Sequence, residues 1–146
     1  MIHSRQVLIE MIEKTGYLER DCAEKDLLIL MNILDNDEQI LNVTHAMNQA
    51  HYDTIFILLT NQRFLIVDAN RPFAKQYDEY KLHKINSLTR IKHFLLCDLI
   101  LELDNKTLKI DGVDKKSSKY IVPRFHEALE NYEEGTWDNP FLKGIE

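Results

Sequence analysis

The sequence predicts an α+β fold: a small antiparallel barrel of about seven strands in two orthogonal sheets, closed by a C-terminal helix and preceded by two helices. Three observations predict it. Apolar spacing is helical over the first 35 residues, drops to a period of about two from Ile40, and becomes helical again near Ile121. The strand-like runs follow one another without intervening helices, which excludes a parallel α/β sheet. Four glycines and three prolines in 146 residues leave no low-complexity linker, and no internal repeat is visible. A single chain of this length buries roughly two-thirds of its unfolded surface. The expected organisation is a helical extension over residues 1–39, a barrel with its closing helix over 40–135, and a tail over 136–146.

In order along the chain, Val7, Leu8, Met11 and Ile12 share one helical face, and Gly16 stops that helix. Asp21 with Glu24 three residues on gives a capping-box start to a second helix. Leu27, Leu28, Met31 and Leu34 form its expected buried stripe, and "LDNDE" (34–38) is read as a solvated helix end. Ile40–Met47 is the first strand and "NQAHYD" the connecting turn. In "DTIFILLTNQRFLIVDANR" (53–71), two apolar runs, Ile55–Leu59 and Phe64–Val67, flank Thr60-Asn61-Gln62-Arg63, and the strands Ile55–Leu59 and Arg63–Asp68 form a hairpin. Lys75–Leu82 reads as a charged edge strand, "LHKINSL" (82–88) as one helical turn, and Thr89–Phe94 as a further strand. Leu99, Leu101 and Leu103, then Leu108 and Ile110, alternate with polar neighbours, the pattern of a hairpin with one buried face. Ile121, Phe125, Ala128, Leu129 and Tyr132 give a helix from about 122 to 134. Pro123 falls in its first turn and Gly135 ends it.

Charge narrows the function classes. The net charge is −6, yet residues 62–93 hold seven basic and three acidic residues, net +4, between segments of −6 and −4. Overall acidity argues against general nucleic-acid binding and against anionic membranes, both of which need a large positive field. Glu10 and Glu13 interrupt the N-terminal apolar stretch, so no secretory signal is expected there. The longest apolar runs are five residues, against ~20 for a membrane span. A cytoplasmic protein with Cys22 and Cys97 reduced is the expectation.

Motifs for chemistry are missing. The six histidines make no metal-ligand spacing, although His45 and His51 flank one turn. "DNDE" lacks the glycine and the distal glutamate of a calcium loop, and the scattered glycines supply no phosphate loop. His93 and Cys97 are the one thiol–imidazole pair close in sequence, without an evident third group to orient them. Glu102/Asp104 and Asp111/Asp114 read as solvated carboxylates. No catalytic residue, metal or cofactor is expected. The candidate binding residues come from the positive island: Arg71, Lys75, Tyr80, Lys81, Lys84, Arg90 and Lys92. They suit an anion or acidic-peptide site, and equally the charged protection of a sheet edge.

"DEQILNVTHAM", "LTNQRFLIVD" and "YDEYKLHKINSL" together resemble the bacterial pleckstrin-homology-like domains of the YokE type. The likeness covers roughly residues 30–134, with most of its weight on 54–88, and departs from the family's continuous closing helix at Pro123. It implies a module that binds proteins or ligands, or oligomerises, without catalysis. Thr60 is expected to bond the turn backbone and Arg63 to pair with a neighbouring carboxylate or carbonyl. The function expected is binding of an unidentified protein partner, or self-association, through sheet edges and the basic rim. Trp137, Phe141 and Leu142 in the tail add to the case for self-association. A small anionic ligand or lipid headgroup at the same rim is the alternative, with membrane contact disfavoured by charge.

Overall fold

Neighbouring residues of the central hairpin are buried on opposite faces, which explains its unbroken apolar runs. The computed structural model describes residues 3–48, 53–72 and 75–134. Strands β1 (Ile40–Asn48), β2 (Asp53–Thr60) and β3 (Arg63–Val67) pair antiparallel, with Ile57 opposite Ile66 and Leu58 opposite Leu65. Phe56, Leu58, Leu65 and Val67 pack against Leu8, Ile12, Leu27 and Leu30 of helices α1 (Arg5–Lys14) and α2 (Glu24–Ile33). Ile57, Leu59, Phe64 and Ile66 pack on the other side with Ile121 and Phe125 of α3 (Ile121–Glu134). Two-sided burial needs no polar alternation, so the hairpin reads as a continuous apolar run.

Of the remaining strands, the last three bury one face, while the edge strand at 77–81 is half-buried, with Tyr77 against one core and Tyr80 against the other. In chain order the four are β4 (Tyr77–Lys81), β5 (Ile85–Lys92), β6 (Leu96–Leu103) and β7 (Thr107–Asp114), with a 3-10 turn at Leu82–Lys84 between β4 and β5. Leu88, Leu99, Leu101 and Ile110 face the α3 core, while Glu102, Lys109 and Asp111 are wet or partly wet.

All seven strands belong to one sheet, ordered β4-β3-β2-β1-β7-β6-β5. Hydrogen bonding therefore joins what was expected as two sheets, among the described residues through the pair Ala46–Val113. The bend at that joint has a local cause. Between Cys97–Val113 and Leu99–Ile110, two residues, Asp111 and Gly112, oppose the single Asp98. Gly112 has φ +70, so this is a bulge that uses the one residue type comfortable there, and it turns the end of β7 toward β1. The edges of the sheet are β4 and β5.

The N-terminal helices differ in phase from the expected stripes. Ser4 caps α1 by accepting the Val7 N–H at 3.2 Å, and Gly16 follows the helix at φ +97. Val7 is exposed and Ile9 buried; in α2, Leu28 is exposed and Leu30 buried. In "LLILM" every residue is apolar, so docking on the sheet, not periodicity, sets which side is buried. Asp21 ends a 3-10 turn (Glu19–Asp21) instead of capping α2, whose N-cap is Ala23 with no side-chain bond. The strand expected at Thr89–Phe94 begins at Ile85 and ends at Lys92. The 49–52 turn, Gly135 and the 136–146 tail lie outside the described residues. Among the described residues, no helix is long and apolar enough to cross a membrane.

Candidate functional site

The Thr60–Arg63 turn is a structural lock. Thr60 Oγ1 accepts the backbone N–H of Gln62 and Arg63 at 3.1 and 3.0 Å and donates to Glu38 Oε2 at 2.6 Å. Arg63 grips both oxygens of Glu38, at 3.0 and 2.9 Å, and also reaches Glu79 on β4 and the Ile33 carbonyl. Glu38 is fully buried, so "DNDE" is not a solvated helix end: its last residue anchors the turn. Each lone pair of the carboxylate meets a donor, the condition under which a buried ion pair is tolerated.

The seven residues of the positive island are dispersed. Arg71 pairs with both oxygens of Asp78 and donates to the Lys75 carbonyl, while the Lys75 ammonium lies 4.4 Å from the Tyr77 ring centre. Tyr80, Lys81 and Lys84 line a shallow groove of about 430 Å³ that also holds Glu79 and Asp104. Arg90 donates to Ser118 Oγ at 3.0 Å and to the Lys115 carbonyl at 2.7 Å, pinning the β7–α3 turn. Lys92 is exposed at the far end of β5, eight residues and roughly 26 Å of strand from Lys84. The structure brings Tyr80, Lys81 and Lys84 together, and keeps Arg90 and Lys92 apart from them. His93 bonds Asp98 at 2.8 Å and holds its carboxyl below the usual range. Cys97 is buried and accepts the Ser118 hydroxyl. His45 bonds Tyr17 at 2.9 Å.

Two further features were not anticipated. The first is the β5–β6 hairpin tip, where Phe94 is 91% and Leu95 74% exposed, flanked by exposed Ile91 and Leu96. The tip is tied down at several points. The His93 N–H donates to the Leu96 carbonyl at 2.9 Å, and the Lys115 ammonium caps the carbonyls of His93 and Phe94 at 2.9 and 3.3 Å. A sequence signal existed: "HFLL" occupies a turn without Gly, Pro, Asn or Asp.

The second is a cleft of about 570 Å³ where the extension meets the β7–α3 turn. Tyr17 and Asp21 contribute from the extension, His45 from β1, and Asp114, Lys116, Lys119, Tyr120 and Arg124 from β7, the turn and α3. Burial pushes the Tyr17 phenol up. Burial alone would raise Asp114, but the Ser117 hydroxyl and N–H, at 2.5 and 2.8 Å, hold it below the usual range.

The family described as bacterial PH domain matches residues 34–127. No curated protein matches the chain. Similar solved structures include a duf1696-family protein with a pleckstrin-homology domain from Shewanella loihica PV-4: 15% identity, TM-score 0.47, covering 71% of this chain and 98% of that one. A pleckstrin homology domain from Shewanella amazonensis SB2B gives 15% identity and TM-score 0.45, covering 72% and 91%. The hSac2 domain of the human phosphoinositide phosphatase Sac2 gives 15% and 0.41, covering 94% and 87%.

Proposed function

The chain belongs to the bacterial PH-domain family, and from that premise we propose that it is a non-catalytic interaction module that docks a protein partner on the β5–β6 hairpin tip. The observation that carries this reading is the exposure of Phe94 and Leu95 on a turn that is otherwise firmly held. Leaving two such side chains in water forgoes roughly 1.5–3 kcal/mol each, which contact with a partner recovers. Because Lys115 and the His93–Leu96 bond already fix the turn, little ordering entropy opposes docking. Lys92 and Lys115 flank the tip. The fitting partner therefore presents an apolar pocket with carboxylates on its rim.

The alternative, an anion at the Lys81/Lys84 rim, finds less support. The groove there gathers two of the six candidate cations, Lys81 and Lys84, with Asp104 beside them and Glu79 already paired with Arg63, so no larger cluster of positive charge converges on it.

The test compares wild-type chain with Phe94→Ser/Leu95→Ser as bait, followed by light scattering and reconstitution of any binary complex. The two side chains are solvent-exposed, so the melting temperature stays within about 2 °C. A purified partner that binds wild type at least tenfold more tightly than the variant supports docking at the tip. A wild-type multimer that falls to monomer in the variant identifies a second copy as the partner. Equal retention of every partner by both baits overturns the reading, as does flotation of the wild type with anionic vesicles that Phe94→Ser/Leu95→Ser abolishes.

A further inference from the structure

We propose that the cleft between the N-terminal extension and the β7–α3 turn is a binding site for a small phosphate monoester. The argument starts from "DKKSSKYIVPR" (114–124), which packs Lys115, Lys116, Lys119 and Arg124 into ten residues inside a segment whose overall charge is −4. Lys115 is committed to the hairpin tip. The other three line the cleft.

Their charges are available. Neither Lys116 nor Lys119 forms an ion pair among the described residues. Arg124 spends one nitrogen, Nη1, on Asn42 Oδ1 at 2.7 Å and the Thr15 carbonyl at 3.4 Å; both acceptors are neutral. That bond orients the guanidinium without discharging it, and its second face of donors suits a phosphate. Of the two carboxylates in the cleft, Asp114 stays ionised, accepts from Ser117 and lies within electrostatic reach of Lys116, while Lys119 and Arg124 face no carboxylate partner among the described ion pairs. The lining thus carries three cations against two anions in a protein whose net charge is −6.

Shape and chemistry select the rest of the ligand. The volume lies in the range of small-molecule pockets. Tyr120 is half exposed, with Lys119 and Arg124 at 5.4 and 5.5 Å from its ring centre, so a flat organic group can lie beside the cations. The Tyr17 hydroxyl, paired with His45, adds a polar wall. Five lining residues, Thr15 to Leu18 and Asp21, precede the family match at 34–127. The extension therefore supplies one wall of the site, the cations come from the family-matched region, and the site is distinct from the docking tip.

Calorimetric titration of the full chain with phenyl phosphate at low salt tests this, with vesicles containing phosphatidic acid as a second arm. Saturable 1:1 binding with Kd between about 10 μM and 1 mM is expected. Lys116→Ser/Lys119→Ser should weaken it roughly tenfold or more at unchanged melting temperature, whereas Phe94→Ser/Leu95→Ser should leave it unchanged. Binding of the soluble ester alone assigns the site to a free metabolite. Vesicle binding alone, lost in the lysine variant, assigns it to a lipid headgroup. No binding in either arm up to about 10 mM ester, or binding that Lys116→Ser/Lys119→Ser leaves intact, overturns the proposal.

Discussion

Glu38 shows how little a residue's sequence neighbours reveal of its role. In "DNDE" it reads as one of several solvated acids, yet it is fully buried and holds Thr60 and Arg63. Arg63→Ala should therefore lower unfolding free energy by roughly 3–5 kcal/mol in urea titration, because it strands a buried carboxylate. A loss under about 1 kcal/mol would show that water replaces the guanidinium. Asp26 makes the opposite prediction. It is 8% exposed on α2, and burial, aided by Asp68, pushes its carboxyl up to about 6. A folded pKa above the unfolded value of 3.8 means the folded state binds the proton more tightly. This contribution therefore favours folding increasingly as pH falls from about 6 to 4, and is absent above pH 6. Asp26→Asn should raise stability at pH 7.5 by roughly 1–3 kcal/mol and remove that pH slope, read from urea midpoints at several pH values. Thr60 and Arg63 were legible as turn-shaping residues because a T-x-x-R turn offers its bonds locally. Their carboxylate partner lies 22 and 25 positions away, and no local pattern points to it.

Among elements, the hairpin β2–β3 is the most constrained. Leu58 belongs to the core under α1 and α2, and Ile66 to the core under α3, so the hairpin separates two hydrophobic layers. Leu58→Asp and Ile66→Asp should each prevent folding, since an unpaired buried carboxylate costs several kcal/mol against a total of roughly 5–15. A soluble Leu58→Asp protein with a cooperative melt would remove the extension from the core. Strand order along the chain, the 3-10 turn after β4 and Pro123 in the first turn of α3 were legible from local chemistry. The phase of α2 was not, because "LLILM" is apolar on every side and only the sheet beneath it chooses Leu30 over Leu28. The β5–β6 tip escaped for a related reason. Apolar letters usually mean burial, and exposure of Phe94 is visible only once both strands have ended.

For the whole molecule, the extension completes a three-layer arrangement of helices α1 and α2, the sheet, and helix α3. Removing residues 1–33 should expose Phe56, Leu58, Leu65 and Val67 together, a contiguous apolar face. The truncated protein is expected to aggregate or to lose its cooperative thermal transition; a soluble, two-state melt would show that the sheet and α3 suffice. The sequence by itself determined most elements and their order, because periodicity, turn chemistry and Pro or Gly placement act over a few residues, and its motifs carried the resemblance to the family. It also determined that the hairpin is core. Tertiary structure alone decided that both faces of that hairpin are covered, that the seven strands form one sheet through Ala46–Val113, and that Glu38 is buried. It alone separated Arg90 and Lys92 from Lys81 and Lys84, and brought Tyr17 to His45 and Arg124 to Asn42. The physical reason is range: hydrophobic period and backbone preference are written between near neighbours, whereas burial and charge pairing depend on contacts that exist only after the chain has closed.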